Sequence, residues 1–153
     1  MPEFWFYHLE QTPIAQALPE LLERVVARGW RAYVHFGTGG LEDDKIQALD
    51  QQLWTYDPAS FLAHGREGGE DDARQPVLLG TSGSLANRPD VYLSAAPAGL
   101  PDVDGLQRCL IVFEGADEAH LAWARAQWKD LKGRGASLAY WKQNERGRWE
   151  KVQ

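Results

Sequence analysis

Cysteine is all but missing from this chain: Cys109 is the single copy in 153 residues and sits in an apolar run, so no internal disulfide can form and a cysteine-rich zinc site is excluded. Positive charge is scarce as well. Sixteen Lys and Arg against 22 Asp and Glu leave a formal net charge of −6, which rules out attraction of nucleic acid by the molecule as a whole. A local basic patch could still act alone, because salt screens charges over about 8 to 10 Å. No segment approaches the roughly 18 consecutive apolar residues of a membrane helix, and the opening Met1-Pro2-Glu3-Phe4 lacks the basic and apolar regions of a secretory signal. A soluble, cytoplasmic protein is expected. Phosphate fingerprints are absent too, with neither G-x-x-x-x-G-K-S/T nor G-x-G-x-x-G in the chain. What remains is an ordinary globular balance, 44% hydrophobic and 25% charged, and a length suited to one domain over residues 1–153.

Alternating patterns organise that domain. Phe4 to Leu9 reads as a first strand buried on both faces. Leu18, Leu21, Leu22, Val25 and Val26 recur at helical spacing after Thr12-Pro13, with Pro19 placing the regular helix start at about that residue and Gly29 ending it. Arg31 to Phe36 is β-prone and completes a βαβ opening. A second helix is expected over Leu41 to Leu53, with Glu42, Asp43 and Asp44 at its positive end. Arg66 to Arg74 is glycine-rich and acidic and reads as a mobile, solvated loop. Pro76 to Gly80, Val91 to Ala95 and Cys109 to Phe113 are short strands, and a third helix follows from about Ala116 to Lys132, stopped by Gly133. Ser137 to Gln143 and Arg148 to Val152 resemble a terminal hairpin.

This order implies a three-layer, Rossmann-like α/β domain: a mostly parallel sheet of about five strands, with a C-terminal β-hairpin as a small antiparallel addition. Such a frame often holds nucleotides. The loops Gly37-Thr38-Gly39-Gly40 and Gly80-Thr81-Ser82-Gly83-Ser84 are the places to look, but the first runs into three carboxylates that would repel a phosphate. Serines and four histidines are present without a G-x-S-x-G elbow, and Glu67, Glu70, Asp71 and Asp72 offer no rigid metal frame. No catalytic, cofactor or metal residue is therefore assigned; a small nucleotide-binding or hydrolytic α/β enzyme is the alternative reading.

Two aromatic constellations stand out. In the third helix Leu121, Ala124, Trp128 and Leu131 fall within one arc of about 80°, and Arg125, Lys129 and Lys132 flank it. An indole beside a guanidinium and an ammonium suits a peptide carrying carboxylates and a terminal hydrophobic side chain; spacing alone favours a core tryptophan ringed by solubilising charges. The second is the corner from Trp54 through Tyr56 to Phe61, whose rings could close the core or serve as interface anchors.

These segments together resemble the chi subunit of bacterial DNA polymerase III over nearly the whole chain. The resemblance rests on Phe6-Tyr7-His8-Leu9, on Leu49-Asp50-x-x-Leu53-Trp54, on Asp57-Pro58-x-Ser60-Phe61-x-x-His64-Gly65, on Arg125-x-x-Trp128-Lys129 and on Tyr140-Trp141. It implies a non-catalytic adaptor without cofactors that links the clamp loader, through the psi subunit, to the acidic C-terminal tail of single-stranded DNA-binding protein. It implies that Arg125, Trp128 and Lys129 hold the tail and that Trp54 and Phe61 face psi, a surface some members also use for a repair helicase. It further implies a monomer or heterodimer, placed at the nucleoid through the replisome, with little direct nucleic-acid binding and no membrane association. Trp128 stands where tyrosine is common in that family, Ala63 where proline is common, and the hairpin from Ala139 to Val152 extends past its shorter members.

Overall fold

Short runs apolar on both faces, separated by amphipathic stretches, can satisfy their backbone only in a sheet covered by helices on each side. The computed structural model takes that form. It describes residues 2–10, 12–37, 42–55, 63–97, 100, 105–146 and 148–153, apart from the side chains of 42, 43, 45 and 55. In chain order the elements are β1 (Glu3–Leu9), α1 (Ile14–Ala27), β2 (Ala32–His35), α2 (Glu42–Thr55), β3 (Gly65–Arg66), a 3₁₀ turn (Asp72–Arg74), β4 (Val77–Gly80), β5 (Val91–Ser94), β6 (Arg108–Glu114), α3 (Glu118–Gly133), β7 (Leu138–Gln143) and β8 (Trp149–Lys151). The strands form one eight-stranded sheet in the order β3-β4-β2-β5-β6-β1-β7-β8. Every neighbouring pair is parallel except β7 with β8.

Strand alternation assigns the two faces. Leu18 and Leu22 of α1 and Ile46, Leu49 and Leu53 of α2 pack on Val34, Leu79, Leu93 and Val112. Ala124 and Leu131 of α3 cover Phe4, Phe6, Ile111 and Phe113 on the opposite face. Each fully buried aliphatic or phenyl side chain contributes roughly 1.5 to 3 kcal/mol, so β1 and β6, covered on both sides, form the centre of the core.

The sheet is wider than the sequence pattern indicates. The segment Leu138–Gln143 pairs in parallel with β1, Phe6 opposite Tyr140, and so continues the sheet; β8 alone is antiparallel. A further strand, Gly65–Arg66, adds to β4 and takes in the first residue of the segment expected to be mobile loop. That segment is pinned instead by Glu67. Its Oε1 accepts from the Tyr33 hydroxyl at 2.9 Å, the Ser84 hydroxyl at 2.9 Å and the Ser82 hydroxyl, and its Oε2 from the amides of Thr81 and Ser82, each at 3.2 Å. Gly80 leaves the space for this, since a Cβ there would come within 2.6 Å of Glu67 Oε2.

Helix α1 starts at Ile14, five residues before Pro19, which lies buried inside it. The start is fixed from outside the helix: the Glu114 carboxylate accepts from the Ile14 amide at 3.0 Å, while Gln16 and Ala17 bond to the Pro13 carbonyl. Pro19 then costs one internal bond, to the carbonyl four residues back. Gly29, with φ of 78°, ends the helix as expected, its amide bonding Val26 and that of Trp30 bonding Val25. In α3 the left-handed residue is Gly135, φ 75°, two positions past the expected stop at Gly133. His120, expected on the surface of α3, is 4% exposed and packs on Phe113 and Trp123.

Candidate functional site

Helix α3 is positioned by its caps. The Asp117 carboxylate accepts from the His120 amide at 3.1 Å at one end, and the Gly135 turn closes the other, with the Ala136 amide on the Leu131 carbonyl at 3.1 Å. Ala124, the small residue of the inward arc, lets the sheet approach closely, and Trp128 one turn on reaches over the edge of α3 toward β1 and β7. Its indole meets Phe6 at 5.2 Å and 78° and Tyr140 at 5.6 Å and 83°, both edge to face. Trp128 is half-buried, not enclosed.

The rings of Phe6, Phe113, Trp128 and Tyr140 line an open cavity of about 270 Å³, to which Ala124, the exposed Arg125 and Gln153 also contribute. Arg125 and Trp128, the residues singled out from spacing, are thus brought to one opening. Lys129 is exposed on the next turn from Arg125 and is not among the residues lining the cavity. Among the described residues neither cation is taken up in an ion pair. The cavity can take a ring-sized apolar side chain while a guanidinium at the mouth meets a carboxylate, a charge-assisted bond of about twice neutral strength.

Sequence reasoning missed the other walls. Phe6 and Tyr140 lie far apart in the chain and meet only through the β1–β7 register. Behind them the Tyr140 hydroxyl and His8 Nδ1 are 2.7 Å apart, and Lys142 pairs with Glu10 at 3.0 Å. Burial, and then the charges of Lys142 and Arg125, pull the His8 imidazole below its ordinary value against the opposing pull of Glu10. Gln153 arrives through the C-terminal strand, its carbonyl accepting from the Tyr140 amide at 3.1 Å.

The second predicted pair is seen in part. Trp54 ends α2 with 55% of its surface exposed, its ring 4.8 Å from that of His64, whose Nε2 lies 2.8 Å from Asp50 Oδ1. Phe61 lies outside the described residues, as do Tyr56, Asp57 and Pro58. Helix α2 packs on the face of the sheet opposite α3, so Trp54 and Trp128 belong to different sides of the molecule.

Of the candidate phosphate loop Gly37-Thr38-Gly39-Gly40, residues 38–40 also lie outside the described residues. At the crevice where α1 and α3 leave adjacent strands, the Glu114 carboxylate already occupies the α1 N-terminus. Among the described residues no group of three His, Cys, Asp or Glu side chains could hold a metal ion. No described helix is long and apolar enough to cross a membrane.

A mostly parallel sheet covered by helices on both faces defines a Rossmann-like α/β domain. The chain belongs to the DNA polymerase III chi subunit, HolC, family, which it matches over residues 1–139. It is also similar to a protein of Rickettsia prowazekii (strain Madrid E) described as a probable DNA polymerase III subunit chi, 24% identical over 116 residues, which span 74% of this chain and 67% of that relative. The family is one of accessory subunits of a polymerase complex. Of the cavity walls, Tyr140 and Gln153 fall beyond the matched residues.

Proposed function

We propose that this chain is a non-catalytic adaptor that holds the acidic C-terminal tail of single-stranded DNA-binding protein at the α3 cavity. It docks separately, through Trp54 and Phe61, with a psi subunit of the clamp loader or, in its place, a repair helicase. The observation that carries this reading is the placement of Arg125 at the mouth of the Phe6–Trp128–Tyr140 cavity. A tail ending in an aromatic residue and carrying carboxylates matches both parts of that opening, the ring inside and the charge at the rim. Lys129, one turn on, adds a second cation within reach of a multiply charged peptide. Trp54, 55% exposed, supports a separate docking surface, because a large, partly exposed indole is the kind of side chain that anchors interfaces.

A pull-down from cell extract with wild type, Phe61→Ala and Arg125→Ala side by side tests both halves. Arg125→Ala should lose single-stranded DNA-binding protein and keep the clamp-loader partner, and Phe61→Ala should do the reverse. Loss of both partners by either folded variant contradicts the two-surface reading.

A further inference from the structure

Four of the seven tryptophans, Trp5, Trp30, Trp141 and Trp149, form a group apart from the sites above. They lie together on the α1 side of the sheet, at the β1-β7-β8 end. Trp5 on β1 lies 5.6 Å from Trp141 on β7; Trp141 stacks on Tyr7 at 6.3 Å and 11°; Trp149 on β8 meets Tyr7 edge-on at 5.0 Å. Trp30, in the turn after α1, extends the run, and all four indoles are half-buried. Among the described residues α1 borders this stretch through Leu21, Arg24, Val25 and Arg28, while α3 crosses on the other face.

The same run gathers cations. The Arg108 guanidinium sits 3.9 Å over Trp5 and 5.3 Å from Trp30, and that of Arg28 lies 5.0 Å over Trp30. Arg24, Arg28 and Arg108 line a cleft of about 160 Å³ floored by Trp5, Tyr7 and Trp30. Lys151 stands opposite Trp141 in the β7–β8 register, on the same face of the sheet. Among the described residues Glu20 pairs with Arg24 at 2.8 Å and Glu3 with Arg108 at 3.4 Å, so two of these four cations hold a carboxylate in the ion pairs described. In a chain of net charge −6 this is a local reversal of sign.

From this juxtaposition we infer that the Trp30–Trp5–Trp141–Trp149 face is a contact surface for single-stranded DNA. Partly buried rings in a run across a sheet still offer edges and faces to unpaired bases of any sequence. A guanidinium stacked on an indole keeps its N–H donors in its own plane, directed at the rim, where a phosphate passes. The cleft holds a single base and not a duplex. An acidic peptide would meet the cations, but its backbone would leave the run of rings beyond them uncovered; bases joined by phosphates use both. The surface lies on the face opposite the α3 cavity, so it is independent of the proposed tail site.

The test is fluorescence anisotropy of a labelled oligothymidylate of about 20 nucleotides, titrated with the full chain at about 20 and about 200 mM salt. Saturable binding is expected at low salt, weakened about a hundredfold at the higher salt if about three phosphates are neutralised. Arg24 and Arg28 are exposed, so the Arg24→Glu, Arg28→Glu double variant should keep the wild-type near-ultraviolet spectrum and lose at least about tenfold in affinity. Arg125→Ala should bind the oligonucleotide as wild type does. Absence of binding at low salt, binding that survives the double substitution, or loss on Arg125→Ala would each overturn the inference. So would a double variant that binds DNA normally but no longer takes up an acidic peptide, which would assign the face to a protein.

Discussion

The indole of Trp128 meets the ring of Phe6 edge to face, their centroids 5.2 Å apart at 78°. This contact ties α3 to the central strand, and because the indole is only half-buried, the same ring both fastens the helix and walls the cavity. Spacing alone left Trp128 divided between core and ligand contact; the structure gives it both roles in packing and cavity, and the proposed tail contact follows from the second.

Trp128→Ala should therefore lower stability as well as peptide affinity. Removing a half-buried indole with two edge-to-face partners costs about 2 to 3 kcal/mol, a fall of roughly 5 to 10 °C in Tm for a chain of this size. Trp128→Tyr, which restores the residue common in the family, should recover most of both. Differential scanning calorimetry and peptide titration on the same samples would separate the two effects.

Glu67 should make the fold acid-sensitive in a defined window. Burial acts to raise its carboxyl, but the Ser82 and Ser84 hydroxyls, the Ser82 amide and the Tyr33 hydroxyl overcome this and hold it at about 2, below its ordinary 4.5. A depressed carboxylate stabilises the fold fully above pH 4.5 and loses that contribution as pH falls toward 2. With screening at a partly exposed site the amount is on the order of 1 to 2 kcal/mol. Urea midpoints measured from pH 7 downward should fall through this window in wild type and more shallowly in Glu67→Gln.

How far the sequence discloses such features depends on how local their causes are. The Cys109–Phe113 strand was legible because an apolar run between turns has few other fates, and α3 because its caps and stripe lie within one segment. Glu67 was not, since its partners Tyr33, Ser82 and Ser84 lie at least 15 residues away and glycine-rich acidic composition suggests only loop. Phe6 and Tyr140 were likewise hidden, because strand order decides that they share a wall with Trp128. Parallel pairing of β7 with β1 could not be told from a detached hairpin, as both have the same local pattern. Arg125 and Trp128 were legible as neighbours, and the cavity between them was not.

Cys109 should be inert in the native state. It is fully buried, and burial pushes its thiol up to about 12, so almost no thiolate is present or accessible at neutral pH. Alkylation followed by mass spectrometry should track global unfolding in denaturant. Rapid labelling of native protein would show that the β6 core opens locally.

Trp54→Ala should cost only about 1 kcal/mol of stability, since just over half of its surface is exposed and its ring rests on His64, yet weaken capture of the psi partner. Peptide binding at α3 should be unaffected, because the two surfaces lie on opposite faces of the sheet. Parallel pull-down and peptide titration would show whether the losses separate.

The most direct measurement is isothermal titration of a short acidic peptide ending in phenylalanine into wild type and Arg125→Ala at low and high salt. One exposed charge-assisted contact predicts a loss of on the order of 1 to 3 kcal/mol for the variant, with a weaker salt dependence. Arg125 is exposed, so the variant should fold normally. Equal affinity and equal salt dependence in the two proteins would contradict the assignment of the α3 cavity as the tail site.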